Sequence, residues 1–305
     1  MLANLQKNIT STLFLAACGW FLYFYSSAFF WAVSGFFFIV FGYTGVLAIE
    51  FLFLIFINKA DPTPQATWKE LFLAWLSESL TTPQVFFWRQ AFRANDFPDV
   101  TSPSALVQGH RGVVFVHGFF CNRGFWAPWL KRLQGRGHAY VALNLEPIFG
   151  SIDDYVSQID EAVECITQST GLTPLLVCHS MGGLVARAWL KTMKSEGRVH
   201  HVVTIGTPHR GTWLARFGQG ENSKQMRLRS DWQVQLDQDM PKERHALFTC
   251  WYSNSDNIVA PASNATLPGA DNRLVRGAGH VQLAFLPEIM TSTLAMLDKL
   301  DAPQI

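Results

Sequence analysis

Ser180 stands where a short apolar run, Pro174-Leu175-Leu176-Val177-Cys178, gives way to two glycines and a helical pattern, in His179-Ser180-Met181-Gly182-Gly183-Leu184. A serine at a sharp strand-to-helix corner has its hydroxyl held above a sheet, as in the Gly-x-Ser-x-Gly turn. The backbone N–H of the next residue, Met181, then lies at a helix start, where partial positive charge collects. Cys178 occupies the place of the first glycine. That place must be small because strand and helix pass close together, and cysteine is small enough. The alternative is an ordinary turn in which Ser180 only caps a helix. A serine hydroxyl is a poor nucleophile at neutral pH and needs an adjacent base. Two later loops carry suitable groups: Asp256, in Ser253-Asn254-Ser255-Asp256-Asn257-Ile258-Val259, and His280, in Gly277-Ala278-Gly279-His280-Val281.

These residues need a scaffold that gathers loops at one edge. Gly112-Val113-Val114-Phe115-Val116-His117-Gly118 reads as a buried parallel strand, followed by a helix over 125–133. Tyr140 to Leu145 is the next strand. Ser151 and Asp154 fit a capping box, and Ile152, Tyr155, Val156, Ile159, Val163 and Ile166 follow at helical spacing. After the Ser180 helix, to about Lys194, come strands at 202–206, 248–252 and 274–275, and a closing helix within 283–300. Alternating strands and helices predict an α/β, doubly wound parallel sheet. Active groups on such a sheet gather beyond the carboxyl ends of the strands.

Composition divides the chain. Of its 305 residues, 24 are basic and 23 acidic, and no basic run stands out, so nucleic acid is not an expected partner. The five cysteines, at 18, 121, 165, 178 and 250, are scattered through apolar segments and read as buried free thiols of a reducing compartment. No His or Cys spacing suits a metal, and no clear carboxylate pair suits calcium, so no cofactor is expected.

The 25 phenylalanines concentrate in the first hundred residues. From Ile9 to Ile57 the one acid or base is Glu50. A spanning helix needs about 20 residues, so the run has room for two, expected at 9–24 and 28–49. Their break falls at Tyr25-Ser26-Ser27, or alternatively at Ser34-Gly35. The run is longer than the apolar core of a cleaved signal peptide, so it reads as a retained hairpin anchor. With Lys7 and Lys59 outside the spans, both termini and the C-terminal domain are expected in the cytoplasm, on the inner membrane if the source is bacterial. Residues 59–106 form a bridge. Trp68, Leu71, Phe72, Trp75 and Leu76, then Val85 to Phe92, are either interfacial helices or helices packed on the next domain. A linker follows at 97–104, and the expected catalytic domain is 107–305.

Residues 107–300 resemble bacterial lipases and esterases of the α/β-hydrolase fold, close to the triacylglycerol-lipase group. The resemblance rests on Val116-His117-Gly118-Phe119, His179-Ser180-Met181-Gly182-Gly183, Ile205-Gly206-Thr207-Pro208-His209-Arg210-Gly211-Thr212, Asp256-Asn257-Ile258-Val259 with Pro261, and Gly279-His280. The order Ser, Asp, His is that of this fold. The resemblance implies Ser180 as nucleophile, His280 as base and Asp256 as the group that fixes its tautomer. Asp237, Asp239 and Asp271 compete for the last role, but the first two read as helix or lid surface and the third as a turn. Backbone N–H groups of Met181 and Phe119 would face the oxyanion. His117, His179 and His209 are then structural. Phe119, Phe120, Phe125, Trp126 and Trp129 line an acyl pocket or form simple core. The polar insertion over 212–246 sits where such enzymes carry a small lid. The implied activity is hydrolysis of carboxylic esters, with acyl lipids as the expected substrates. Acyl transfer on the same triad, or a catalytically silent membrane binding protein, are the alternatives.

Overall fold

The apolar beginning of the chain forms two antiparallel helices, α1 (Leu2–Phe24) and α2 (Phe29–Ile57). The turn between them is Tyr25 to Ala28. Ser34-Gly35 lies inside α2 instead. A side chain at 35 would sit 1.9 Å from the Trp20 indole nitrogen, so this glycine lets the helices touch rather than breaking one. The computed structural model describes residues 1–102, 107–194 and 196–298. The last residues of the expected linker, and the end of the expected closing helix, lie outside that set.

Among the described residues one helix, α2 with its continuation to Ala60, is long and apolar enough to cross a membrane, a composition shared by spans and signal sequences. The expectation of two spans is not met. The first turns of α1 carry Asn4, Gln6, Lys7 and Asn8, and Gln6 is buried, accepting a hydrogen bond from Asn122 at 3.0 Å. Its apolar remainder is shorter than the about 20 residues a span requires.

Helix α3 (Trp68–Thr82) opens on a capping box, with Thr67 accepting from the Glu70 N–H and Glu70 accepting from the Thr67 N–H. Leu71, Ala74, Glu78 and Ser79 are buried, while Trp68, Phe72 and Leu80 are exposed. Helix α3 thus packs one face on the rest of the chain and leaves apolar side chains exposed on another. A π-helical stretch, Pro83–Arg89, leads into α4 (Gln90–Phe92).

The sheet has six parallel strands: β1 (Val113–Val116), β2 (Tyr140–Ala142), β3 (Leu175–His179), β4 (His201–Ile205), β5 (Phe248–Ser253) and β6 (Asp271–Val275). Their order is β2-β1-β3-β4-β5-β6. The chain moves outward from β1 to β2, then crosses back to β3, so the winding reverses between β1 and β3. Open sheets of this kind bind ligands at that reversal. Val116 pairs with Cys178 and His179 with Ile205, which leaves three strand ends level beneath the crevice.

The helices of this half are α5 (Ala127–Leu133), α6 (Val156–Thr170), α7 (Met181–Met193), α8 (Glu221–Gln225), α9 (Asp231–Asp239), α10 (His280–Leu283) and α11 (Pro287–Asp298). Side chains alternate across a strand. Val114, Val116, Leu176 and Cys178 accordingly pack toward α6 and α7 with Leu184 and Trp189. Val113, Phe115, Leu175 and Val177 pack toward α5 and α11 with Trp129 and Leu294. The closing helix expected within 283–300 is α11, which Pro287 starts, and the one-turn α10 that bears His280 precedes it.

Candidate active site

The corner after β3 is strained in the manner a nucleophile elbow requires. Ser180 has φ 54° and ψ −127°, a conformation that costs a non-glycine residue roughly 1–3 kcal/mol. It is locked by its neighbours: the Ser180 N–H donates to the Ile205 carbonyl at 2.9 Å. The close approach is made by the glycines after the serine. A side chain at 182 would lie 2.3 Å from the Val116 carbonyl, and one at 183 would lie 2.3 Å from Thr207 Oγ1. Cys178 meets no such limit, since its thiol is buried among the α6 and α7 side chains. Burial also raises its pKa, which leaves it a neutral core residue.

Loops from the other strands close on this corner. A side chain at Gly118, after β1, would meet Ser180 Cβ at 2.7 Å and its hydroxyl oxygen at 3.3 Å. Gly206, after β4, has φ +58°, and a side chain there would lie 3.0 Å from Asp256 Oδ2 and 3.1 Å from His280 Nδ1. After β5 and β6 come Asp256 and His280 themselves. His280 Nδ1 lies 2.9 Å from Asp256 Oδ2, and both residues are buried. The other carboxylate oxygen accepts from the N–H groups of Ile258 and Val259 at 2.9 and 2.8 Å. In the tautomer that donates Nδ1–H to Asp256, Nε2 is left as the acceptor.

The competing carboxylates are engaged elsewhere. Asp237 pairs with the fully buried Arg187, Asp239 with Lys191, and Asp271 with Arg273. His179 joins the serine corner to the histidine loop. Its Nε2 lies 3.2 Å from the His280 carbonyl, and the two rings are 4.6 Å apart. On its other side it stacks on Phe125 at 4.5 Å.

Burial sorts the remaining histidines. His117 accepts from the Leu145 N–H at 3.1 Å and meets the Gly118 carbonyl at 2.9 Å; burial brings its pKa down to about 4. His179 and His209 are held neutral by burial, well below the ordinary value. His280 goes the other way. Burial works against its charge, but the Asp256 charge and hydrogen bond, with Glu78 and Glu50 beyond, raise its pKa.

Met181 is the first residue of α7, where a backbone N–H has no partner within the helix. Phe119 is the residue after Gly118, and Phe120 follows with φ 54°. Of the five aromatics considered as an acyl pocket, Phe125, Trp126 and Trp129 are fully buried core. Phe119 and Phe120 are half-buried and lie beside the exposed Phe149, at 5.8 and 6.4 Å between ring centres.

Three groups around His280 were not anticipated from the sequence. Glu78 of α3 accepts from the N–H groups of Val281 and Gln282, both at 2.9 Å. Asn257 accepts from the His280 N–H at 3.1 Å and donates to Glu50 of α2 at 2.7 Å. Glu50 did carry a signal, as the lone charge in an apolar run, and such charges are commonly functional. Glu78 carried none.

The model of the alpha/beta hydrolase family matches residues 113–248. Among solved structures, the mature lipase BlEst2 of Bacillus licheniformis is 18% identical, covers 66% of this chain and 96% of its own, and superposes with a TM-score of 0.56. Lipase B of Aspergillus fumigatus is also 18% identical, with 66% of this chain matched to 56% of its own and a TM-score of 0.55. These likenesses bear on the fold.

Proposed function

The chain has the α/β-hydrolase fold, and from that premise we propose that it is a membrane-associated serine hydrolase of carboxylic esters, with Ser180, His280 and Asp256 as its triad. The observation that carries the reading is the buried Asp256–His280 pair, seated through His179 against the strained Ser180 corner.

In this reading Ser180 Oγ attacks the ester carbonyl carbon while its proton passes to His280 Nε2. The carbonyl oxygen becomes an oxyanion facing the N–H groups of Met181 and Phe119, donors fixed before charge develops. The carbon–oxygen bond to the alcohol breaks, and the imidazolium gives its proton to the leaving oxygen. Water then attacks the acyl-enzyme, His280 takes its proton, and Ser180 leaves with that proton as the acid departs. Asp256 keeps Nδ1 protonated and offsets the imidazolium charge throughout.

Acyl lipids are the proposed substrates. Phe53 of α2 lies 5.5 Å from Trp213 at the start of the 212–246 insertion, and Trp213 lies 5.3 Å from the exposed Phe217. An aromatic path thus joins the apolar helix to the 212–246 insertion. Phe14, Leu15, Phe30, Phe38 and Phe56 of the hairpin are exposed apolar surface suited to a bilayer. Hydrolysis of glycerol esters of graded chain length by the full chain in vesicles tests this. Long-chain esters should be cleaved at least as fast as short soluble ones, and Ser180→Ala should remove both activities. Much faster turnover of short soluble esters would point to a general carboxylesterase.

A further inference from the structure

We infer that helix α3, aided by Glu50 of α2, is a splint for the catalytic histidine, and that Glu78 is a positioning residue for the reaction. The inference rests on the hydrolase reading of His280.

The geometry is a two-point grip. Glu70 and Glu78 are eight residues apart on α3, about 12 Å along the axis. Glu70 binds the Arg276 guanidinium at 2.7 and 3.2 Å. Glu78 takes the N–H groups of Val281 and Gln282, one on each carboxylate oxygen. The segment between these two anchors is Gly277-Ala278-Gly279-His280. Each glycine admits the splint: a side chain at 277 would lie 3.3 Å from the Glu70 side chain, and one at 279 would lie 2.6 Å from Glu78 Oε2. A third hold comes from α2, where Glu50 orients Asn257 and Asn257 accepts the His280 N–H. The N–H groups of Gly277, Ala278 and Gly279 are met by Asn254, Ser253 and Gln282 of the same domain, so the N-terminal helices hold the loop at its two ends and, through Asn257, at His280.

Glu78 is an expensive residue to keep for packing alone. It is 1% exposed, inside a protein half that an apolar residue would fill at lower cost. Burial pushes its carboxyl up to about 7, against the pull of the Gln282 and Val281 N–H groups. A charge there also acts on the ring. The titratable groups facing His280 are Asp256 from the β5 loop, Glu78 from α3, Glu50 from α2 and His179 from β3. Three of the four are acidic. The hairpin and bridge therefore complete the site rather than only tethering it.

The test uses the full chain in lipid nanodiscs, with Glu78→Gln, Glu78→Ala and Glu50→Gln. Two readouts are taken: kcat and KM on a soluble ester, and the His280 titration by NMR of histidine-labelled protein, assigned with His280→Gln. Glu78→Gln keeps the volume and one acceptor, so it is expected to fold. It should lower kcat by about 10²-fold, the cost of a small misplacement, with KM within about threefold. The His280 titration should move down by about one pH unit as a facing charge is lost. Glu50→Gln should do the same to a smaller degree. A normal kcat, or an unmoved His280 titration in folded Glu78→Gln and Glu50→Gln, would overturn the inference and leave a structural brace. If the wild type cleaves no ester, the hydrolase reading fails by itself, and the titration still decides whether Glu78 governs the ring.

Discussion

Asp256 and His280, 24 residues apart in sequence, meet at 2.9 Å through one carboxylate oxygen and Nδ1. The second oxygen is occupied by two backbone N–H groups, so the carboxylate cannot swing away. Its role in the proposed reaction is to choose the tautomer. Asp256→Asn should leave the fold intact, present the wrong hydrogen to Nδ1, and lower kcat on a soluble ester by about 10⁴-fold. Circular dichroism alongside the assay separates this from unfolding. A fall below tenfold would assign the orienting role elsewhere.

The pH dependence of kcat/KM should show an acid limb above the ordinary histidine value. His280 must be neutral to accept the serine proton, and Asp256, Glu78 and Glu50 outweigh burial in holding the proton on. Activity is therefore expected to rise with pH through an apparent pKa above about 6.5. Initial rates between pH 5 and 9 read it directly. A limb below that value would mean that the three carboxylates do not act on the ring.

Stability should fall as pH drops from 7 toward 5. His117, His179 and His209 are buried and neutral, with pKa values lowered by burial. The unfolded chain takes up protons below about 6.5 that these folded residues refuse, so their contribution is present above that pH and lost below it. His280 and Glu78, whose folded values are raised, work in the opposite sense: they favour the folded state at lower pH and lose that contribution as pH rises through their folded values. His200, His201 and His245 are lowered by burial in the same way, so six histidines work in the first sense, against His280 and Glu78 in the second. Melting temperatures in detergent at pH 7 and pH 5 measure the balance, and an unchanged or higher value at pH 5 would contradict it.

The 212–246 insertion is tied down by Arg187. This fully buried guanidinium donates to the His209 carbonyl at 2.9 Å and to Asp237 of α9 at 2.5 Å. Asp237→Asn leaves a buried charge with less compensation. Asp237 is 44% exposed, so the loss should be smaller than for a wholly buried pair, about 2 kcal/mol. Chemical denaturation of the variant reads it. A change below about 0.5 kcal/mol would show that the pair does not hold the insertion.

The strands were legible because buried parallel strands are continuous β-branched runs, as in Val113 to Val116 and Val202 to Ile205, each stopped by a glycine or a polar corner. Ser180 was legible because its local pattern alone calls for a strained turn. Asp256 and His280 could be placed by their loops and order. Glu78 could not. Its partners, Val281 and Gln282, lie 203 and 204 residues away, and no local pattern in Trp75-Leu76-Ser77-Glu78-Ser79 marks an acid that will be buried. The start of α1 was missed for a related reason. The expected span began at residue 9, yet α1 starts at Leu2, and Gln6 is buried there with Asn122 and the Phe120 carbonyl, from the loop after β1, completing its hydrogen bonds.

Reaction of the full chain with a fluorophosphonate, followed by peptide mass mapping, tests the nucleophile directly. The expected result is one phosphonyl group per chain, on Ser180, at a rate that Asp256→Asn lowers and Ser180→Ala abolishes. Modification of another residue, or folded wild-type protein that stays unmodified, would contradict it.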